Sequence, residues 1–402
     1  MKNLNFLKSN PTIFKQFVFG IFIFLSFFSC SKPESKLKTI NILENDESEI
    51  NISEIADDIE YIPLANDSIL AYIMKVEYIN NNYFVKDNKS KFLRFNEKGE
   101  LINKIGNRGR GPGEYNHASD FVIDPKTGNI FIIGGKPDQI MVFSAEGKFL
   151  KSLNLSKKYA TSIGISDDNL FLFYLDGAQH NEENMELLDM EGNIIKSYSN
   201  QYKFERGKAV IGFNGECLMY SLDGKLHFKE IFSDTIFFLD GKNRIPKLIL
   251  NTGDRRFTPE VRTKIIEEIS LDPRSTSERW IKSLIQNNLF ETSDFLFYSY
   301  AYDKKGRFMI YDKSTGNQVE INEKEGIKND WDGGPNIQLK MNRDDNTLFS
   351  WINAFELKAY VELDEFKNST PKYPEKKKEL EKLANSLNEN DNPVLILVKL
   401  KE

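Results

Sequence analysis

One stretch of sequence decides the fold: Asn103-Lys-Ile-Gly-Asn-Arg-Gly-Arg-Gly-Pro-Gly-Glu-Tyr115, which stands directly before a pattern of short strands and turns that runs to Leu153. Short strands separated by turn residues are typical of all-β proteins. A unit of about 40 to 50 residues is typical of one blade of a β-propeller. We therefore interpret the glycine-rich segment as a link that leads into such a blade.

The blade is recognisable because it repeats. Ser90–Ile105 aligns position for position with Asp138–Leu153, which begins 48 residues later. Both segments contain an alternating strand, a tight turn at Gly99 or Gly147, and a second alternating strand. Glycine suits such a turn because short hairpin loops need a residue at positive φ. The repeat therefore predicts two consecutive blades of the same design.

Weaker echoes of this pattern continue along the chain and bring the number of blades to six. The sixth blade would combine Thr347–Ile352 with Pro393–Leu400. A propeller joins its last blade to its first or leaves an open edge, and Ile59–Leu64 is the candidate partner for the C-terminal strand. Helical spacing interrupts the pattern at about residues 258–290 and 374–388. The predicted class is an all-β, six-bladed β-propeller with short helical insertions.

The first thirty residues predict export. Three lysines precede an apolar run from Phe17 to Phe28, and Ser29-Cys30 follows. This order is that of a secretory signal, and the run is shorter than the roughly 20 residues that span a bilayer. The end of the signal resembles the lipobox of bacterial lipoproteins, which implies a lipid on Cys30. The alternative is a plain signal peptide with an incidental cysteine.

The predicted organisation has three parts. Residues 1–29 form the signal peptide, residues 30–56 a polar tether, and residues 57–402 the propeller. Removal of the signal takes the formal charge from −6 to −9, because it removes three lysines and no acid. An acidic chain lacks the basic face that nucleic acids require. With Cys30 and Cys217 as its only cysteines, an exported chain does not depend on a disulfide framework.

Three successive stretches resemble an NHL-type propeller repeat, namely Gly106–Tyr115, Phe121–Phe131 and Ile140–Lys148. The whole mature chain is similar to the six-bladed β-propeller lipoproteins of Bacteroidetes, a likeness that Asn329–Gly334 and Asp391–Leu400 share. The resemblance implies a place in the cell envelope, with a lipid anchor in the outer membrane and the membrane face left open. It implies little chemistry, because the members generally lack an assigned activity. NHL propellers otherwise serve mostly as binding platforms, with a few lyases among them.

The glycine-rich segment also supplies candidate ligand-binding residues. Its glycines do not have the dinucleotide-binding spacing and no helix follows them, so a link between blades is favoured over a phosphate site. Propeller loops nevertheless collect binding groups, and arginine pairs well with carboxylates or uronic acids. The candidates are Arg108, Arg110, Glu114 and Tyr115.

A second candidate is the run Asp330-Trp331-Asp332, with two glycines behind it. The acids could hold a calcium ion, or accept the hydroxyl hydrogens of a sugar that stacks on the indole. The alternative is a turn with a buried tryptophan. The three histidines, His117, His180 and His227, are scattered along the chain, so no zinc site is predicted.

The sequence identifies no catalytic residue and requires no cofactor, calcium being the one ion that a motif suggests. It contains no Gly-x-Ser-x-Gly motif and no Cys/His nucleophile pair. The predicted function is a non-catalytic envelope module that binds or scaffolds a glycan, a peptide or a partner protein. The alternative is a propeller enzyme, either a metal-dependent lyase or a carbohydrate-active enzyme.

Overall fold

Six small antiparallel sheets form a six-bladed β-propeller in the computed structural model of this chain. The structure describes residues 37–42, 48–175, 182–205, 212–213, 215–272 and 277–401. The chain divides into the segment Met1–Lys38 and the unit Thr39–Glu402, and the blades belong to the second. The predicted signal peptide, Cys30 and His180 lie outside the described residues.

Blades 1 to 5 each contain four strands in chain order from the centre outwards, and the innermost strands of neighbouring blades contact each other around the centre. Blade 1 contains Ile73–Ile79, Asn82–Asp87, Phe92–Asn96 and Leu101–Lys104. Blade 2 contains Ala118–Ile123, Ile130–Gly134, Gln139–Phe143 and Phe149–Asn154, and blade 3 contains Ala160–Ser166, Asn169–Tyr174, Glu183–Leu188 and Ile194–Ser199. Blade 4 contains Cys217–Leu222, Lys225–Glu230, Thr235–Asp240 and Asn243–Asn251, and blade 5 contains Ile285–Glu291, Phe295–Tyr302, Lys305–Asp312 and Gln318–Asn322.

Blade 6 closes the ring with strands from distant parts of the chain. Its inner strands are Met341–Asn342 and Thr347–Ile352. Val394–Leu400 pairs with Thr347–Ile352 on one side and with Ala56–Pro63 on the other. The predicted pairing of the C-terminal strand with the segment near Ile59 is therefore confirmed.

Chain segments before blade 1 cover the outer edges of three blades, and we call residues 38–42 and 48–63 the N-terminal strap. Lys38–Asn41 adds a fifth strand to blade 4. The N–H of Ser48 donates to the carbonyl of Glu320 in blade 5 (2.9 Å), and Ala56–Pro63 is the outermost strand of blade 6. The apolar side chains of the strap are buried, namely Ile40, Ile42, Ile50, Ile52, Ile55, Ile59 and Ile62. The folded body thus starts earlier along the chain than the predicted tether allowed.

The hydrophobic core is divided among the six seams between neighbouring blades. Both faces of a blade pack against a neighbour, so the inner strands are buried on both sides; all five residues of Ile130–Gly134 are buried. Aromatic rings fill the seams, as where the ring centroids of Phe92 and Phe121 lie 4.3 Å apart between blades 1 and 2. Successive side chains of an inner strand point to opposite faces of the blade, and both sets are therefore apolar.

The repeated glycines have a double role at the turn between the third and fourth strands. Gly99 and Gly147 have φ angles of +79° and +82°. A Cβ atom on Gly99 would lie 2.2 Å from the carbonyl oxygen of Pro63, and one on Gly147 would lie 2.0 Å from that of Lys104. Each turn therefore packs against the outermost strand of the preceding blade, and only glycine meets both the conformational and the steric requirement.

The helical insertions agree with the sequence in part. Pro259–Leu271 begins after Thr258, whose hydroxyl accepts the N–H of Val261 (3.3 Å). The predicted helical region continued to residue 290, but Ile285–Glu291 is the innermost strand of blade 5. A short strand that is buried on both faces has no clear two-residue period, so its pattern was mistaken for that of a helix.

A group of helices interrupts blade 6 between its second and third strands. Pro374–Ser386 agrees with the prediction, while Ala354–Val361 and Asp364–Asn368 were not predicted. These helices share a small core of their own. No helix among the described residues is long and apolar enough to cross a membrane.

The described insertions leave the propeller from the same end of the strands. Because successive strands are antiparallel, the links between blades and the loops between second and third strands emerge together. We call this end the loop face, which includes residues 64–72, 88–91, 105–117, 253–272 and 353–393. The opposite end, which we call the turn face, carries the loops between first and second and between third and fourth strands.

Candidate functional site

A cavity of about 320 Å³ opens on the loop face beside blade 1. It lies between the link from blade 6 to blade 1, the loop after the second strand of blade 1, and the start of the glycine-rich link. We call it the basic cavity, because four of its residues are cations and one is an acid. Its lining is Ile69, Leu70, Ala71, Asp87, Lys89, Ser90, Lys91, Lys104 and Arg108.

The one acid of the basic cavity is occupied by backbone contacts. Asp87 is 1% exposed. Its carboxylate accepts the N–H groups of Ala71 (2.9 Å), Lys89 (2.9 Å) and Lys91 (2.7 Å). Asp87 therefore joins the two loops that form the walls, and three backbone donors occupy its carboxylate oxygens. The charge that the cavity offers to a ligand is positive.

Most of the cationic groups are open to solvent. Lys89, Lys104 and Arg108 are exposed. Within the described part of the chain, the ammonium groups of Lys89 and Lys104 make no hydrogen bond or ion pair. The Nε–H of Arg108 donates to the carbonyl of Asn116 (3.2 Å), which leaves its two terminal nitrogen atoms for a ligand. Lys91 donates to the carbonyl of Ile69 across the wall.

Asn392 holds the outer wall of the basic cavity in place. Its side chain is 1% exposed, and its Oδ1 accepts the N–H of Leu70 (2.7 Å). Its Nδ2 donates to the carbonyls of Ala65 (2.6 Å) and Ser68 (3.0 Å). Because Asn392 stands two residues before the last strand of blade 6, ring closure positions this wall. No local sequence pattern marks this role.

The glycine-rich segment is a link between blades 1 and 2, and its candidate residues have different settings. Arg108 lines the basic cavity, and Arg110 is exposed beyond it. Glu114 folds under the loop, where its carboxylate accepts the N–H of Gly111 (2.8 Å). A Cβ atom on Gly109 would lie 1.9 Å from that carboxylate. The glycines thus make room for Glu114, and the arginines are the groups left for a ligand.

Tyr115 anchors the end of the link. Its side chain is fully buried, and its hydroxyl donates to the carbonyl of Ile105 (2.8 Å). Its ring meets that of Phe143 edge to face, with centroids 6.0 Å apart. Burial raises the pKa of Tyr115 well above its usual value. These contacts describe a structural residue, and a ligand role for Tyr115 stays a prediction that they do not favour.

The Asp330-Trp331-Asp332 segment forms a buried turn. Trp331 is 5% exposed, and its ring centroid lies 4.2 Å from that of Tyr373. Asp332 is 1% exposed and accepts from the side chain of Asn329 (2.8 Å) and the N–H of Gly334 (2.8 Å). Burial raises the pKa of Asp332. This arrangement agrees with the alternative interpretation of the sequence, a turn with a buried tryptophan.

Asp330 faces the N-terminal strap instead of a ligand site. Its carboxylate accepts the N–H (3.0 Å) and the hydroxyl (2.6 Å) of Ser53. The structure therefore separates Asp330, Trp331 and Asp332 from Arg108 and assigns each of them internal contacts. A ligand or calcium role for this segment stays a prediction without support from its geometry.

The histidines and the cysteine are dispersed. His117 is exposed in the link before blade 2, and His227 is buried in blade 4, where its ring stacks on Tyr220 with centroids 5.1 Å apart. Cys217 is buried, and burial raises the pKa of its thiol. Among the described residues, no three His, Cys, Asp or Glu side chains are grouped so as to hold a metal ion.

The seam between blades 4 and 5 holds a cluster of charged groups around Glu291. The carboxylate of Glu291 accepts from the hydroxyl of Tyr220 (2.6 Å) and from the ammonium groups of Lys247 (2.8 Å) and Lys313 (2.5 Å). Burial alone would raise the pKa of Glu291, but the two lysines hold it below its usual value. Because the members satisfy one another, the cluster is a structural connection between blades.

A smaller ionic group joins the inner strands of blades 1 to 3. Lys75 contacts Glu77 (3.0 Å) and Asp120 (2.9 Å), and the other oxygen of Asp120 accepts the N–H of Ile163 (3.2 Å). Burial opposes the charge of Lys75, yet the two acids raise its pKa above the usual value. The charged groups of these inner strands therefore pair with one another, in contrast to the exposed lysines of the basic cavity.

Solved structures of known proteins agree with the fold. A protein described as exported, from Bacteroides fragilis NCTC 9343, superposes with a TM-score of 0.69 at 18% identity, over 90% of this chain and 99% of that chain. A member of the DUF4221 family from Bacteroides vulgatus ATCC 8482 superposes with a TM-score of 0.52 at 10% identity, over 89% and 99%. Identities this low show the fold alone. No curated protein sequence matches this chain.

A family model gives a more direct relationship. It is described as a domain of unknown function, DUF4934, and it matches residues 37–399, which contain the N-terminal strap and all strands of the six blades except Leu400. The NHL-type repeat and the lipid anchor are not part of these findings and stay predictions. Because the match extends over most of the chain, the protein belongs to the DUF4934 family.

Proposed function

We propose that this chain is an exported binding module that holds a negatively charged ligand in the basic cavity and catalyses no reaction. The ligand would be a glycan, a peptide or a partner protein of the cell envelope. A lipid on Cys30 would tether the propeller to the outer membrane. The observation that supports the proposal most directly is the open positive charge of the cavity in an acidic chain.

The charge of the cavity contrasts with that of the whole protein. Four cations and one carboxylate line it, whereas the chain has a formal net charge of −6. A concave site lined by charges of one sign concentrates ligands of the opposite sign. Its volume falls at the lower end of the range for small-ligand sites, about 300 to 1,000 Å³. Both properties support recognition of a small anionic group.

The polar groups of the cavity favour binding over catalysis. A general base or a nucleophile must be available to the substrate. The carboxylate of Asp87 already accepts three backbone N–H groups. The hydroxyl oxygen of Ser90 accepts the N–H of Ala118 (3.0 Å). The cavity therefore offers charge and shape to a ligand without a free acid–base pair.

The site can be tested with charge reversal. The mature chain with Cys30→Ser would be screened against immobilised anionic glycans and acidic peptides. We expect the double variant Lys89→Glu/Lys104→Glu to lose at least tenfold in affinity for any ligand found. Lys148→Glu is the matched control, because Lys148 is an exposed lysine in a hairpin of the turn face. Equal loss in both variants, or in neither, would show that the basic cavity is not the site.

The tether is tested separately. Mass spectrometry of the mature N-terminus from the native host would detect the acyl chains on Cys30. Cys30→Ser should release the propeller from the membrane fraction into the soluble fraction. Retention of the Cys30→Ser variant in the membrane would contradict a lipid anchor without bearing on the basic cavity.

A further inference from the structure

Building on the proposed function, we infer that the ligand of the basic cavity is an acidic saccharide, whose carboxylates are held by side chains and whose ring stacks on Tyr72. The inference names the ligand class for the same site. It follows from which groups the cavity offers and which groups are already used.

The backbone amides of the inner wall are not available to an anion. The N–H groups of Lys89 and Lys91 donate to Asp87, and that of Asn88 donates to the carbonyl of Tyr72 (2.9 Å). Phosphate sites commonly use several backbone N–H groups in a loop or at a helix N-terminus. Here Asp87 takes the place that a phosphate would occupy. An external anion must therefore be held by lysine and arginine side chains.

The outer wall is equally unsuited to an extended peptide. The N–H of Leu70 donates to Asn392 (2.7 Å), and that of Ala71 donates to Asp87 (2.9 Å). Extended peptides bind by adding a strand to free N–H and C=O groups of an edge. These wall groups are satisfied internally, so they offer no ladder to a peptide. A saccharide needs no such ladder of backbone hydrogen bonds, because side chains recognise its substituents.

The cations suit carboxylates in particular. Arg108 is fixed through Nε by the carbonyl of Asn116, and its two terminal nitrogen atoms form the fork that pairs with both oxygens of a carboxylate. Lys89 and Lys104 add separate point charges around the same cavity. Sugar acids linked in a chain present one carboxylate per ring, which suits several cations spaced around one opening.

Tyr72 is an exposed aromatic residue that adjoins the cavity wall in sequence. It is 64% exposed and directly follows Ala71, which lines the cavity. Among the described residues, its ring makes no aromatic or cation–π contact and its hydroxyl makes no hydrogen bond, although its carbonyl accepts the N–H of Asn88 (2.9 Å). Ile69 and Met74, near it in sequence, are 48% and 50% exposed. An exposed ring at this position is suited to a sugar, whose apolar face stacks while its acid groups pair with the cations.

The experiment measures binding of defined oligosaccharides to the purified mature chain with Cys30→Ser by calorimetry at low salt. The probes are galacturonate, glucuronate and sialic acid oligosaccharides, each compared with its methyl-esterified form. A poly-glutamate peptide of matched charge and inorganic phosphate complete the set. We expect one acidic saccharide to bind, and its methyl ester to bind at least tenfold more weakly.

The variants then assign the groups. Arg108→Lys keeps the charge but removes the fork, and should weaken binding about tenfold; Tyr72→Ala should weaken it several-fold, while Lys148→Glu should not change it. Melting curves establish that each variant is folded, and Lys104→Gln replaces Arg108→Lys if that variant is unfolded. Equal binding of poly-glutamate, phosphate or the methyl esters would overturn the saccharide class and leave the binding module intact. Failure of every anionic probe would overturn the basic cavity as a ligand site, and with it the proposed function.

Discussion

Blades 1 to 3 and blades 4 to 6 have the same strand order but are stabilised differently. Among the described residues, no further segment pairs with the outermost strands of blades 1 to 3. Those strands expose Ile102, Leu150 and Ile194 at 46%, 49% and 49%. The outer edges of blades 4 to 6 are instead covered by the N-terminal strap. One half of the ring is thus complete within its own sequence, and the other requires chain from elsewhere.

The two halves also differ in what fills their seams. The second half contains helical insertions and pairs of buried charges, such as Glu216 with Arg262 at 2.7 Å. Buried pairs contribute little net stability when intact, but breaking one is costly because the remaining charge is left without a partner. Repeated local packing, with one ionic group at the centre, supports the first half. The second half depends in addition on long-range contacts with the strap and with the helices.

The largest effect is expected at Arg262. Its side chain is 1% exposed, and it donates to both oxygens of Glu216 (2.7 and 2.8 Å). Arg262→Met should lower the free energy of unfolding by about 3 to 5 kcal/mol, because Glu216 stays buried without its partner. Urea denaturation measures the change. Arg279→Met, which breaks the exposed pair with Glu268 (3.0 Å), should lower the free energy of unfolding far less, because solvent screens both charges; equal losses would contradict the assignment.

The next effect compares a covered edge with an uncovered one. Ile40 in the N-terminal strap is 3% exposed, and Ile102 on the edge of blade 1 is 46% exposed. Ile40→Ala should lower the free energy of unfolding by about 2 to 4 kcal/mol, because it leaves a cavity in a buried cluster. Ile102→Ala should change it by less than about 0.5 kcal/mol. Thermal melting of the two variants and the wild type measures the difference. Similar melting curves for the two variants would show that the strap does not stabilise the fold.

Sensitivity to acid should reside in the second half. Burial, and then Lys247 (3.3 Å from Nε2), lower the pKa of His227 to about 4. The charged groups that face it are Lys247, Glu291 and Lys313. Between pH 6.5 and 4 the unfolded chain therefore binds a proton more tightly than the folded chain. The stability that neutral His227 contributes is complete above pH 6.5 and is lost as the pH falls toward 4.

Unfolding at pH 7.5 and pH 5.0 measures this contribution. Between these two pH values, the free energy of unfolding of His227→Gln should fall by about 2 kcal/mol less than that of the wild type. The difference between the two proteins isolates the histidine from the carboxylates that titrate in the same range. His117→Gln, at an exposed position, should follow the wild type. A His227→Gln variant that follows it too would contradict the lowered pKa.

The smallest expected effect compares one turn in both halves. Gly147 in blade 2 and Gly241 in blade 4 have φ angles of +82° and +56°. Alanine costs about 1 to 2 kcal/mol at either position because of the left-handed backbone. Gly147→Ala should cost about 1 to 2 kcal/mol more, since its Cβ would meet the carbonyl of Lys104, whereas nothing lies within 4 Å at Gly241. Equal denaturation midpoints would show that the turn of blade 2 can move away.

The same division explains how much the sequence could predict. Ser90–Ile105 and Asp138–Leu153 reveal the fold because each contains two adjacent strands and a turn within one contiguous stretch. Blade 5 was harder, because the strand Ile285–Glu291 is buried on both faces and follows a real helix. The early start of the folded body was missed, since the strap pairs with blades that come much later in the chain.

The basic cavity was foreseen only through Arg108. Lys89 lies in a loop and Lys104 is the last residue of the fourth strand of blade 1, and no spacing rule connects them to each other or to the arginine. Asn392, which holds the wall, is 322 positions from Leu70. The ligand role of the Trp331 turn stays a prediction without geometric support, because a local motif cannot show that its tryptophan is buried. Sites assembled from several loops require the fold before they can be recognised.

Asn392 makes the shape of the basic cavity depend on closure of the ring. The wall residues Ala65, Ser68 and Leu70 are held by a side chain that arrives only with the last strand of blade 6. A chain that is truncated or still unclosed after export would possess Lys89, Lys104 and Arg108 but not the shape that arranges them. The ligand binding proposed above would therefore depend on the meeting of two distant parts of the polypeptide.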